Sequence, residues 1–165
     1  MKMLEAKVEG LALDMTTNSP VVILAPLEIN KVLPIWIGHA EAWGIAVELS
    51  GVKPKRPMTY DLLCQVLETL KANISRVEIT KLEEQTFYAR IQLTYNGEDH
   101  HIDARPSDSI ALALKMKSKI YVNADLFNIK ASDEDEPEKT MPTDPESLRD
   151  RLKKINPEDF GSYSL

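Results

Sequence analysis

Alternation of apolar and polar side chains is strongest in the middle of the chain. Phe87, Ala89, Ile91, Leu93 and Tyr95 alternate strictly with Tyr88, Arg90, Gln92 and Thr94, the two-residue period of a strand with one buried face. Asn96-Gly97 follows, the dipeptide favoured by a two-residue type I′ turn because both central residues take positive φ. Such a turn fixes the register. Tyr95 then faces Glu98, Ile91 faces Ile102, Arg90 faces Asp103 and Tyr88 faces Arg105. The apolar face stays apolar across the pair, so the predicted hairpin is self-consistent.

The same pattern, read outward from the hairpin, predicts the other elements. An earlier strand runs around Val77 to Leu82 and reaches Phe87 through the polar turn Glu83-Glu84-Gln85. Leu4 to Met15 reads as a strand with Ala6, Val8 and Ala12 on one face, and Gly10 marks a bulge or a close backbone approach. Asn18-Ser19-Pro20 is a turn into a more buried strand, Val21 to Leu24, and Leu33 to Ile37 is a third short strand ended by Gly38. His39 to Ser50 is apolar nearly all round, as in a helix buried on more than one side. Gly44 in its middle implies that something packs closely there. A second helix is predicted from an N-cap at Thr59, with Asp61 in the first turn and an amphipathic stripe of Leu62, Leu63, Val66, Leu67 and Leu70. Pro106 suits the first turn of a third helix, apolar from Ile110 to Met116, with Lys115, Lys117 and Lys119 near its C-terminal end. Ile120-Tyr121-Val122 is a last strand.

After Ile129 the character changes. Ser132 to Glu138 is an acidic stretch that cannot bury itself, and beyond Pro145 a short helix with Leu148, Leu152 and Ile155 on one stripe is expected. The pattern as a whole predicts an α+β domain over residues 1–129, with a mixed, largely antiparallel sheet packed against two or three buried helices. A flexible acidic linker over 130–144 and a C-terminal helical tail over 145–165 complete it. There is no internal repeat.

Composition changes this picture in three places. The 165 residues suffice for one core, and no apolar run approaches the roughly 18–20 residues that cross a bilayer, so no membrane partner is expected. The acid-bearing N-terminus lacks an apolar h-region, and a single cysteine, Cys64, excludes an internal disulfide framework and a cysteine-based zinc site. A cytoplasmic location is the expectation, with Cys64 read as a small buried hydrophobe. The net charge of −6 argues against a broad nucleic-acid coat. Yet residues 1–128 hold 14 Lys/Arg against 16 Asp/Glu, so the body is close to neutral and most of the acidity lies in the tail.

Polar chemistry gathers in two places. One is the stretch holding His39, Glu41, the basic loop Lys53, Lys55 and Arg56, and Asp61. The other is Asp103-Ala104-Arg105-Pro106-Ser107-Asp108, where a strand gives way to a helix and free backbone N–H groups meet the rim of a sheet. Each acid has a structural explanation too. Asp61 and Asp108 lie near helix N-termini, and Asp103 faces Arg90 across the predicted ladder. His39 can serve as a helix-start residue, and the basic loop can hold phosphates or simply be solvated. His100 and His101 point to opposite faces of a strand and cannot chelate one ion together, although His101 shares the face of Asp103. Walker and dinucleotide loops, zinc-binding His-x-x-x-His helices and nucleophile elbows are absent from the sequence. Metal-assisted phosphodiester cleavage would need two or more of Glu41, Asp61, Asp103 and Asp108 to converge on one divalent ion.

Two long motifs in order then point to a family. Leu33-Pro34-Ile35-Trp36-Ile37-Gly38, Glu41-Ala42, Gly51 and Arg56-Pro57-Met58-Thr59-Tyr60-Asp61-Leu62-Leu63 form the first. Asp103-Ala104-Arg105-Pro106-Ser107-Asp108-Ser109-Ile110-Ala111-Leu112-Ala113-Leu114 forms the second. Together they resemble the bifunctional nuclease domain family, from about Leu4 to Phe127, and Asn156-Pro157-Glu158-Asp159-Phe160 also occurs near the end of related chains. The resemblance implies an α+β fold, a homodimer, and cleavage of DNA or RNA. It nominates Glu41, Asp61, Asp103 and Asp108 as catalytic carboxylates, served by Mg²⁺ or Mn²⁺, and Arg56 and Arg105, with Lys53 and Lys55, as substrate contacts. Ser109 replaces the usual alanine. Tyr60 stands where the family commonly has histidine, and tyrosine is a poor base near neutral pH. The competing expectation is a non-enzymatic dimeric binding or regulatory module that uses the Asp103–Asp108 rim.

Overall fold

The hairpin around Asn96-Gly97 is present in the computed structural model, which describes residues 1–128, 144–149 and 152–155. Strand β5 (Thr86–Tyr95) pairs with β6 (Glu98–Ala104) in the predicted register, Tyr95 with Glu98, Ile91 with Ile102 and Arg90 with Asp103. Asn96 and Gly97 have φ of 52° and 81°, as the turn type requires. The ladder ends at Ala89 opposite Ala104, one pair short of Tyr88 and Arg105, because Arg105 already N-caps the helix that Pro106 begins. The preceding strand β4 (Asn73–Glu83) enters β5 through Glu84 and Gln85, both at positive φ.

At the N-terminus β1 (Met3–Asp14), β2 (Ser19–Pro26) and β3 (Leu33–Trp36) form an antiparallel meander. Its β1–β2 register shifts between Val8 and Gly10, the bulge that Gly10 signalled. Helix α1 (His39–Ser50) follows, with Gly38 at its N-cap and Gly51 in the left-handed conformation at its C-cap. Helix α2 (Thr59–Thr69), helix α3 (Pro106–Met116) and strand β7 (Lys119–Asn123) complete the main body. Among the described residues the sheet has eight strands, seven in the order β3-β2-β1-β7-β4-β5-β6, and β8 (Leu152–Lys154) adds to β1. Among the described residues, only β4 and β7 pair parallel, and α3 lies within the crossover that such a pair requires. The fold is thus a single α+β domain with a mixed, mostly antiparallel sheet.

The helices close the core. Ala42 and Ile45 of α1, Ile110 and Ala113 of α3, and Val22, Leu24, Val77, Ile79 and Val122 of the sheet are buried in one cluster. On the other face of β4 and β5, Glu78 is buried and takes hydrogen bonds from Arg90 and an ion pair from Arg76. This corrects the expected Arg90–Asp103 ion pair. The two residues do face each other, but the guanidinium goes to Glu78, where a buried carboxylate needs it more than exposed Asp103 does.

Three other expectations change. The N-cap of α2 is Met58, and Thr59 is the first helical residue. Of the stripe on α2, only Leu67 packs against the core, together with Cys64. Leu62, Leu63, Val66 and Leu70 are exposed. The stripe Leu148, Leu152 and Ile155 is not one helix: the helix α4 (Pro145–Arg149) carries buried Leu148, and Leu152 belongs to β8. The acidic segment Ser132–Glu138 and the Asn156–Phe160 motif lie outside the described residues. Among the described residues, no helix is long and apolar enough to cross a membrane.

Candidate functional site

A cleft of about 1070 Å³ opens where the β1–β2 turn, the start of α1, the start of α2, the start of α3 and β8 meet. His39, Glu41, Tyr60, Arg105 and Asp108 line it together with Trp43, Met58 and Lys153. Residues 64 positions apart in sequence meet there because α1 and α3 pack against each other with both N-termini at this rim.

Arg105 organises the polar wall. Its Nη1 donates to Glu41 Oε1 at 3.0 Å, while Nε and Nη2 form a fork on Asp108 at 2.7 and 3.0 Å. Tyr60 Oη donates to Asp108 Oδ1 at 2.8 Å. Asp108 thus takes three hydrogen bonds, and two carboxylates share one guanidinium, a planar fork matched to carboxylate and phosphate geometry. The side chain of Arg105 is nonetheless 64% exposed to the cleft. Asp108 and then Glu41 hold it protonated far above the working pH range. Burial, and then the bond to Asp108, push the Tyr60 phenol well above its ordinary range, so it acts as a hydrogen-bond donor and not as a base.

Two glycines make room for this arrangement. A Cβ on Gly38 would lie 2.1 Å from Glu41 Oε2, so the carboxylate folds back over the N-cap of its own helix. A Cβ on Gly44 would lie 2.7 Å from the Tyr60 ring. The close packing that Gly44 implied is therefore the tyrosine beside the site.

The remaining nominated residues are elsewhere. Asp61 lines a second cleft of about 390 Å³, with Lys53, Lys55, Arg56, Glu48 and Lys115. There it forms an ion pair with Lys115, which also bonds Glu48 at 2.8 Å, and accepts from the Met58 N–H at 2.8 Å. Burial raises the Asp61 carboxyl, but Lys115 and the Met58 N–H outweigh it and hold the group below the usual carboxylate range. Met58 to Tyr60 line the first cleft and Pro57 and Asp61 the second, so the two flank the N-terminus of α2. Asp103 and His101 are exposed on β6 and line neither cleft. Sequence reasoning missed Trp43 and Lys153 as lining residues. Trp43 reads as one more apolar residue of a buried helix, and Lys153 reaches the cleft only because β8 adds to β1.

Divalent ions need converging oxygen donors. Among the described residues, no three His, Cys, Asp or Glu side chains gather as a group able to hold a metal ion. Glu41 and Asp108 do converge, but on Arg105. As arranged, these residues fit a guanidinium and not a Mg²⁺ or Mn²⁺ ion.

A mixed sheet with helices that bring two acids and an arginine to one rim defines an α+β domain with a candidate functional cleft. The family model of the bifunctional nuclease domain matches residues 22–135, and the chain belongs to this family. It is 36% identical to an uncharacterized protein of Mycobacterium tuberculosis (strain H37Rv) over 162 residues, 94% of this chain and 97% of that one. It is also similar to bifunctional nuclease 1 of Oryza sativa subsp. japonica, 26% identical over 57% of this chain and 29% of the plant protein. Bifunctional nuclease 1 of Arabidopsis thaliana is 27% identical over 55% of this chain and 29% of its own length.

Proposed function

We propose that this chain hydrolyses phosphodiester bonds of DNA or RNA in the cleft around Arg105. The observation that carries the reading is the shared guanidinium, exposed to the cleft and poised between Glu41 and Asp108. A phosphate entering the cleft competes for the same fork. As Arg105 turns to the phosphate, Glu41 loses its cation and becomes the carboxylate that takes a proton from an attacking water. Water oxygen bonds to phosphorus, the bond to the sugar oxygen breaks, and solvent protonates the leaving oxygen. Arg105 neutralises charge on the phosphoryl oxygens. Tyr60 and Asp108 steer the guanidinium, and Lys153 supplies a second cation in the lining.

A nuclease assay on highly purified protein tests this, with labelled single- and double-stranded DNA and RNA and with Mg²⁺, Mn²⁺ or a chelator. Arg105→Ala and Glu41→Gln are each expected to lower the rate by about 10²-fold or more. Equal activity in wild type and Arg105→Ala would assign the cleavage to a contaminant or another site.

One observation favours a second reading, a binding or regulatory module without turnover. Glu41 and Asp108 are both bonded, and Tyr60 is protonated, so the resting cluster holds no free base. Oligonucleotide binding that depends on Arg105, with no cleavage under any metal condition, would support that reading against the first.

A further inference from the structure

Hydrolysis in the cleft leaves one proton without a donor in the protein. An alkoxide is a poor leaving group, so the sugar oxygen needs a proton as its bond to phosphorus breaks. The groups already described do not suit the task. Arg105, bonded to Asp108 and Glu41, holds its proton too tightly, as does Tyr60, which is raised by burial and then by Asp108. Glu41 and Asp108 are acceptors. A lysine ammonium is a weak acid near neutral pH, so Lys153 serves as a cation. Among the described residues, one more titratable side chain lines the cleft, and it is His39. Imidazole is the side chain best suited to give and take a proton near neutrality.

The local fold puts His39 beside the guanidinium. Strand β3 ends at Trp36, Gly38 caps α1, and His39 is the first helical residue, exposed at the rim. Glu41 lies in the same first turn and folds back over the cap. Its Oε2 is 2.1 Å, and its Oε1 3.7 Å, from the point where a Gly38 Cβ would lie. The same Oε1 accepts from Arg105 Nη1 at 3.0 Å. The guanidinium is therefore held against the residue next to His39, and a phosphate that takes the fork lies between α3 and the start of α1. The titratable groups around it are His39 and Glu41 from α1, Tyr60 from α2, Arg105 and Asp108 from the start of α3, and Lys153 from β8.

We propose that His39 is the general acid of this cleft and, in place of solvent, protonates the oxygen that leaves. The inference rests on the hydrolysis proposed above and supplies its proton donor. Water gives one proton to Glu41 as its oxygen bonds to phosphorus. The bond from phosphorus to the sugar oxygen breaks, and the electron pair left on that oxygen takes the proton of the His39 imidazolium. Glu41 ends protonated and His39 neutral. Exchange with solvent restores both after the products leave.

Sulfur at the leaving atom tests this in the full chain. The ends of the products show which bridging oxygen leaves, and an oligonucleotide with sulfur in that position is cut beside the natural one. A thiol ionises far more readily than an alcohol, so a thiolate departs without a proton donor. His39→Ala and His39→Gln are each expected to cut the natural oligonucleotide about 10²-fold more slowly. Both should cut the sulfur oligonucleotide within about threefold of the wild-type rate. Arg105→Ala, which removes a contact to the phosphoryl oxygens, should slow both substrates. Melting curves check that each variant folds. Equal cleavage of the natural oligonucleotide by wild type and His39→Ala would overturn the role of His39 and leave the hydrolysis standing. An equal loss on both oligonucleotides would overturn it too, because His39 would then act in binding or positioning. A wild type that cuts neither would sink the hydrolysis itself, and the proton donor with it.

Discussion

Gly44 and Tyr60 form a tight joint beside the cleft, and the joint has a sign that can be measured. Glycine inside a helix costs about 1 kcal/mol relative to alanine, so Gly44→Ala would stabilise α1 if nothing lay beside it. The Tyr60 ring lies there, 2.7 Å from the position of the new methyl, and its hydroxyl is tied to Asp108. Overpacking of this kind costs about 1–3 kcal/mol. Gly44→Ala is therefore expected to lower the melting temperature in the wild type, but to raise it in a Tyr60→Ala background, where the ring is gone. Melting curves of the four proteins check this, and a Gly44→Ala effect of the same sign in both backgrounds would remove Tyr60 as the reason for the glycine. The sequence indicated a close neighbour at Gly44 without naming it. That neighbour comes from another helix, and no local pattern encodes which ring crosses a glycine.

At the scale of elements, α2 shows what periodicity can and cannot say. The stripe of Leu62, Leu63, Val66 and Leu70 has helical spacing, and the helix is there, but that face is exposed. Spacing fixes a face of the helix and leaves open whether anything covers it. The helix is instead fastened by its N-terminal acid, since Asp61 holds the Met58 N–H and pairs with Lys115 of α3. A carboxyl depressed in the folded state contributes stability above its unfolded pKa, about 3.9, and that contribution is lost as pH falls through the lower folded value. Wild type should thus melt above Asp61→Asn by a constant margin from pH 5 to 8. The margin should shrink below about pH 4. A margin that does not change with pH would show that Asp61 acts through shape and not through charge. The strands were more legible. Asn96-Gly97 and strict alternation determine a register locally, and the β5–β6 ladder has that register up to the point where Pro106 begins a helix. The swap of partners by Arg90 was hidden because Glu78 reaches it from the neighbouring strand β4.

The whole molecule carries the charge argument. The body is near neutral, so attraction to a polyanion has to come from local cations and not from the overall field. Of the eight nominated residues, three meet at the first cleft, namely Glu41, Arg105 and Asp108. Four more, Lys53, Lys55, Arg56 and Asp61, line the second, and Asp103 lies apart. Two clefts on either side of the α2 N-terminus suggest one path for a single strand, with Arg105 and Lys153 at one end and the basic loop at the other. Salt dependence separates a path from a pit. Each phosphate neutralised on a single strand contributes about −0.7 to the slope of log K against log salt. Contacts to all five cations predict a slope of about −3.5, and contacts at the first cleft alone predict about −1.4. Oligonucleotide binding followed by fluorescence anisotropy between 50 and 200 mM salt is expected to give the steeper value, and Lys53→Ala/Lys55→Ala/Arg56→Ala the shallower one. If the wild type already shows the shallow slope, the basic loop is a solvated turn and the substrate is confined to the cleft that Arg105 guards.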